Sequence, residues 1–247
     1  MHLRGYYVRI KRLLKWITGI LAVIAIVALV AILYAHGVSN EVTDADRESV
    51  KNYLPEPVQI EPAADLAKDI EFIRKVQDSV LNVAPIDEGI PYGQTREPED
   101  LLKAKQGLCF DRSRVIEKIL MAHGFETRHV FLYSTKKTGS SVRSLITPGV
   151  PSHAVTEVWT AGGWLVVDSN DRWVSLDSNG NPREIEEIAA TSGPGGGIDW
   201  KDDPPGIYKE LYPFTFLYGL YSRHGEFYPP YNPIPDVNYG ELLYNFY

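Results

Sequence analysis

Apolar residues along this 247-residue chain fall into regimes that differ in period and length. From Ile17 to Ala35 the sequence reads ITGILAVIAIVALVAILYA, without a charge. At about 1.5 Å per residue a helix of this length crosses a hydrocarbon core of about 30 Å. Residues 36–62 are polar, contain Pro55, Pro57 and Pro62 and show little periodicity, the pattern of a stalk. Between 63 and 83, Leu66, Ile70, Ile73, Val76, Val80 and Leu81 recur mostly at spacings of three and four, which predicts an amphipathic helix ended by Pro85. A loop through Pro91 and Gly93 leads to Pro98-Glu99-Asp100, a helix start with acids in its first turn, and Gly107 closes that helix. Val115, Ile116, Ile119 and Leu120 predict another helix over 109–123, stopped by Gly124. Three strands follow, at 127–134, 152–160 and 163–168, the last two joined by a tight turn at Ala161-Gly162-Gly163. Helices followed by an antiparallel sheet read as an α+β fold.

After Asp177 the periodicity weakens. Ser192 to Gly197 has the composition of a flexible loop, and from Tyr208 onward the chain is dense in aromatics and prolines. So many tyrosines argue against a disordered tail and for an irregular segment packed on the domain. The expected organisation is a basic tail (1–15), a transmembrane helix (16–35), a stalk (36–62), a core (63–180) and a packed C-terminal extension (181–247).

Charge sharpens the picture of the N-terminus. The chain carries net charge −7, yet its first 35 residues hold Arg4, Arg9, Lys11, Arg12 and Lys15 and no acid. The positive-inside tendency places this end in the cytoplasm and the remainder outside, in the periplasm or extracellular space, as a single-pass protein of the cytoplasmic membrane. Trp16 and Tyr34 flank the span at interfacial positions. The apolar run is longer than a signal-peptide core, and Ala35-His36-Gly37 is a poor cleavage site, so a retained anchor in the lipid bilayer is expected over a cleaved leader. The strongly acidic remainder lacks the basic face that nucleic acid requires, so no nucleic-acid partner is expected.

Composition then narrows the chemistry. Cys109 is the only cysteine, which excludes an intramolecular disulfide and a multi-cysteine metal site. No clustered ligand motif or cofactor signature appears, so neither metal nor cofactor is expected. Cys109 falls at a helix start after Gly107-Leu108, where unpaired N–H groups and the helix dipole favour a negative sulfur. His153 opens a strand and could take the thiol proton. Asp168 ends the neighbouring strand. A turn at 161–162 pairs position 155 near 168, which puts the carboxylate within reach of His153 to orient its ring. Taken singly, a lone cysteine is more often a buried apolar thiol, a lone histidine a structural one, and such an aspartate a turn residue. Their joint order favours a triad.

Gly107-Leu108-Cys109, His153 with Glu157 and Trp159, and Gly163-Trp164 through Asp168 together resemble the transglutaminase-like superfamily, a papain-like group of Cys–His–Asp enzymes. The resemblance spans about 70–175. It implies a papain/transglutaminase-like core, catalytic roles for Cys109, His153 and Asp168, and a membrane-anchored bacterial subgroup acting in the cell envelope. Family members often carry proline after the aspartate, where this chain has Ser169-Asn170-Asp171, a departure that suggests a distinct substrate. The backbone N–H of Cys109 is the natural first oxyanion donor, with Gln94 or Gln106 as side-chain candidates for a second. Trp159 and Trp164 are expected in the core, and Asp111, Arg112 and Arg114 on a solvated or ion-paired helix face. The expected function is attack on amide bonds of a protein or peptide substrate in the envelope through an acyl-enzyme, with hydrolysis favoured over acyl transfer. The alternative is a non-catalytic binding or scaffold module on the same fold, and a third reading has the tail from Tyr208 gating the cleft.

Overall fold

The computed structural model describes residues 2–191, 197–229, 231–232 and 234–246. The flexible loop expected over Ser192 to Gly197 lies, up to residue 196, outside them. The chain begins with α1 (His2–Ala35). Its portion from Lys11 to Ala35 is long and apolar enough to cross a membrane and packs against almost nothing.

The expected stalk is not one. Residues 36–62 contain α2 (Asp44–Tyr53) and pack on the domain, burying Val38, Val50, Tyr53 and Leu54. The element hides from hydrophobic periodicity because half its buried face is polar. Asp46 is buried in a 3.0 Å ion pair with Lys118, and Ser49 beside Val50 and Tyr53 is also buried. Thr43 and Asp46 form a reciprocal capping box that starts the helix.

Next come α3 (Leu66–Val83), α4 (Pro98–Ala104) and α5 (Cys109–Ala122), then β1 (Thr127–Ser134), α6 (Ser141–Ile146), β2 (Ser152–Thr160) and β3 (Gly163–Val167). Beyond them lie α7 (Ile185–Thr191), α8 (Gly206–Leu211), β4 (Phe214–Tyr218), β5 (Leu220–Ser222), β6 (Asp236–Val237), α9 (Tyr239–Leu242) and a 3-10 turn at Leu243–Phe246. One sheet has strand order β3-β2-β1-β4, with the pairings antiparallel, and β5 and β6 form a separate pair.

Strand alternation gives the sheet two apolar faces. Val158, Leu165 and Val167 meet Phe72, Ile73 and Val76 of α3 and Val115, Ile116 and Ile119 of α5. Val130, Leu132, Val155 and Val166 face the other way, against Trp173, Ile185, Tyr208 and Leu211. The segment after residue 180 therefore closes the second face of the sheet and, through β4, lengthens it. Both faces of this sheet are buried, so its strands carry buried polar residues as well, among them Arg128, His129, Thr156 and Glu157.

Candidate active site

Gly107 sets the approach to Cys109. A Cβ at this position would lie 2.8 Å from Leu101 Cδ1 and 3.2 Å from Asp111 Cβ, so only glycine fits between α4 and the first turn of α5. Asp111 then caps that turn. Its Oδ2 accepts the backbone N–H groups of Leu108 (2.9 Å) and Ile90 (3.2 Å), and Oδ1 lies 2.8 Å from Arg96 Nε. Burial pushes the Asp111 carboxyl up, and Arg96 and the two N–H groups oppose this. Cys109 is half-buried at the helix start, where backbone N–H groups have no carbonyl one turn earlier to bond.

The β2–β3 register pairs Thr156 with Val167, which sets Val155 opposite Asp168 and His153 on the same face. His153 Nε2–H donates to Asp168 Oδ2 at 2.9 Å, and Cys109 stands near enough to the His153 ring to help hold its proton. With Nε2 committed to the carboxylate, Nδ1 is the ring nitrogen left for the sulfur. His153 thus sits between Cys109 and Asp168, bonded to the carboxylate, with His153 and Asp168 buried and the residue bearing the sulfur half-buried.

Burial disfavours the imidazolium. The Asp168 carboxylate and the hydrogen bonds to Asp168 and Cys109 more than offset it, and the His153 pKa is pushed up to about 10. Burial likewise opposes ionisation of Asp168, but His153 and two backbone N–H groups hold its carboxyl below the usual range. Those N–H groups belong to Asn170 and Asp171, each 2.8 Å from Oδ1.

Several partners of the triad were not legible in the sequence. Tyr208 donates its hydroxyl to Asp168 Oδ2 at 3.0 Å and stands edge-on to the His153 ring, 6.2 Å between centroids. Asp168 thereby accepts four hydrogen bonds, the fourth from the C-terminal extension. Gln77 of α3 donates its amide to the carbonyls of Asp168 (2.8 Å), Asp171 (3.0 Å) and Trp173 (2.8 Å) and so pins the loop after β3. Arg112 donates to Asn170 Oδ1 at 2.7 Å and to the carbonyls of Ala84 and Ile86. The Ser169-Asn170-Asp171 departure is thus built into the carboxylate's support. The polar Gln77 inside an apolar helical stripe was the one readable signal.

Other candidates fall elsewhere. Gln106 donates its amide to the Gly89 carbonyl at 3.2 Å, and Gln94 lies on an exposed loop. Among the described interactions neither meets Cys109, His153 or Asp168. Asp111, Arg112 and Arg114 are buried and paired rather than solvated, because neighbouring loops and α2 fold over α5. Trp159 is 42% exposed instead of in the core, its ring set against Trp164. Of the tail, Tyr208 meets Asp168 from the buried side, and Phe227 packs on Phe110, the neighbour of Cys109, at 5.8 Å between ring centroids.

Residues 60–177 match the family model of the transglutaminase-like superfamily. No curated protein matches the chain. Among solved structures, the periplasmic domain of TgpA from Pseudomonas aeruginosa aligns at 16% identity and TM-score 0.34, over 56% of this chain and 46% of that one. A candidate cysteine protease from Cytophaga hutchinsonii aligns at 16% identity and TM-score 0.31, over 57% and 46%. Rad4–Rad23 bound to a 6-4 photoproduct lesion aligns at 15% identity and TM-score 0.36, over 64% and 41%. The chain spans less than half the length of each of these structures. Helices α3–α5 packed on an antiparallel sheet, matched over residues 60–177, are a transglutaminase-like core.

Proposed function

We propose that this protein is a membrane-anchored thiol enzyme of the cell envelope that cleaves amide bonds of peptide or protein substrates through Cys109, His153 and Asp168. The observation that carries the reading is a protonated His153 set between the half-buried Cys109 and a carboxylate with four hydrogen bonds. In the proposed reaction the Cys109 sulfur attacks the substrate carbonyl carbon, and the C–N bond breaks as His153 gives its proton to the departing amine. The product is a thioester on Cys109. Water, deprotonated by His153, then cleaves the thioester and releases the acid. The Cys109 N–H supplies one donor to the developing oxyanion. An amine in place of water would give acyl transfer, and hydrolysis is the favoured outcome because a free acceptor needs no second binding site. α1 would place the domain outside the cytoplasm.

Because Cys109 is the only thiol, alkylation reports on it alone. The expected result is rapid iodoacetamide modification at neutral pH, slowed about tenfold or more by His153→Ala. A rate unchanged by that substitution would remove the basis for a catalytic thiol. Mass spectrometry after exposure to an activated acyl ester should show a single acyl adduct on Cys109. Adding a primary amine and weighing the products separates hydrolysis from transfer.

A further inference from the structure

Residues 239–246 form a short two-sided element beside the end of α1. Its inner side is fully engaged. Asn245 accepts the Tyr218 N–H at 3.0 Å and donates to the carbonyls of Tyr218 and Leu242, Leu242 packs with Leu220 and Val237, and Glu241 is buried. Its outer side carries Tyr239, Leu243 and Phe246, at spacings of four and three, which fall on one face of an α-helical turn running into a 3-10 turn. These three are 47%, 54% and 76% exposed, and none is charged.

That outer side is continuous with the apolar helix. Tyr239 donates its hydroxyl to the Leu33 carbonyl at 2.9 Å, inside the last turn of α1. The Tyr239 ring also lies beside Gly37, its Cε2 3.6 Å from where a Cβ would stand, an ordinary contact distance. The backbone is joined as well: Val38 N–H donates to the Val237 carbonyl at 2.9 Å and Val237 N–H to the His36 carbonyl at 3.0 Å. Tyr34, 85% exposed, lies on the same last turn of α1.

We propose that Tyr239, Leu243 and Phe246 form a lipid-contacting foot that rests in the interfacial layer of the bilayer crossed by α1. This rests on the anchor reading above. If α1 spans a membrane, Tyr239 is held at the depth of its last turn, and the rise of the following turns keeps Phe246 within about 12 Å of it. Tyrosine suits the headgroup layer, and the leucine and phenylalanine suit the acyl boundary beneath it. The second contact fixes the tilt of the domain, which a single helix would leave free. It also fixes the height of the thiol. Phe110, next to Cys109, packs on Phe227 at 5.8 Å between centroids, and Phe227 clusters with Val38, three residues beyond α1. The substrate class this geometry selects is a peptide segment close to the membrane surface.

The test uses the full chain carrying Cys109→Ser and one new cysteine, at Leu243, Phe246 or Ile24, labelled with an NBD fluorophore. Each is reconstituted in phosphatidylcholine–phosphatidylglycerol vesicles with or without a nitroxide lipid, the nitroxide being shallow for positions 243 and 246 and near the acyl-chain terminus for position 24. The foot predicts about twofold or greater quenching by the nitroxide at 243 and 246, together with protection from aqueous iodide. Nitroxide quenching at 24 with iodide quenching alone at 243 and 246 overturns the foot and leaves the anchor standing. Protection at 243 and 246 from both quenchers means protein covers this face, which also overturns it. No nitroxide quenching at 24 overturns the anchor, and the foot with it.

Discussion

Asp168 illustrates how one buried carboxylate is kept charged. Two backbone N–H groups, an imidazole and a phenol each donate to it, so its desolvation is compensated at every lone-pair direction in use. Tyr208→Phe removes one donor and should cost about 1–3 kcal/mol, read as a lowered Tm with unchanged secondary structure. Asp168→Asn should instead act on His153. Without the carboxylate the imidazolium loses its largest favourable partner, and its titration, followed by 15N NMR of the ring, should move down from about 10 by at least one unit. The pair also shapes the pH dependence of stability. A histidine pKa raised on folding contributes fully below its unfolded value of about 6.5 and loses that contribution as pH rises through about 10. An aspartate pKa lowered on folding contributes above about 3.9 and loses that contribution as pH falls through its folded value. Chemical denaturation of wild type against His153→Ala should therefore differ most between about pH 4 and 6.5 and converge above pH 10.

Among the elements, α4 and α5 depend on a joint that tolerates no side chain. Gly107→Ala must displace Leu101, which is fully buried, or the Asp111 cap, and either shift moves Cys109. Overpacking of this kind costs about 1–3 kcal/mol. Iodoacetamide modification should also lose its dependence on His153, a joint readout that a purely global destabilisation would not give. The same elements show what a sequence can disclose. β1 and β2 fall on the segments expected from their apolar runs, and the β2–β3 register is the one the tight turn imposes. The order Cys, His, Asp was readable because each lies at the end of an element with a strong local signal. α2 was not, since Asp46 on its buried face is stabilised by Lys118, more than seventy positions away. Nor was Tyr208, because one tyrosine among 15 carries no local mark of the carboxylate it meets. Local period reports which face is apolar and says nothing of polar contacts made at long range.

At the scale of the whole molecule, segments 200 positions apart are joined. His36, just past α1, is fully buried with Nδ1 2.7 Å from Asp236 Oδ1, and Asp236 Oδ2 accepts the Phe227 N–H. Gly225 permits the close fit, as a Cβ there would meet His36 Cε1 at 3.0 Å in a backbone conformation with φ +64°. Asp236→Ala strands that imidazole and should cost about 1–3 kcal/mol. In limited proteolysis the segment 36–62 should become the first site cut, because β6 no longer holds it. Cutting first elsewhere would show that α2 alone secures that segment.

The His36–Asp236 contact spans 200 positions, so it sets an order of events in synthesis. The apolar helix emerges some 200 positions before β6, the strand that receives the residues following it. Until β6 emerges His36, Gly37 and Val38 have no partner strand, and until α8 emerges Asp168 lacks the phenol of Tyr208. Closing so distant a contact carries a loop-entropy cost that local helices do not face. A nascent chain therefore holds its thiol, imidazole and carboxylate before it holds the support that aligns them. Alignment of these three side chains is thus coupled to synthesis of residues C-terminal to them, so a chain terminated before Tyr208 would lack the phenol that supports Asp168.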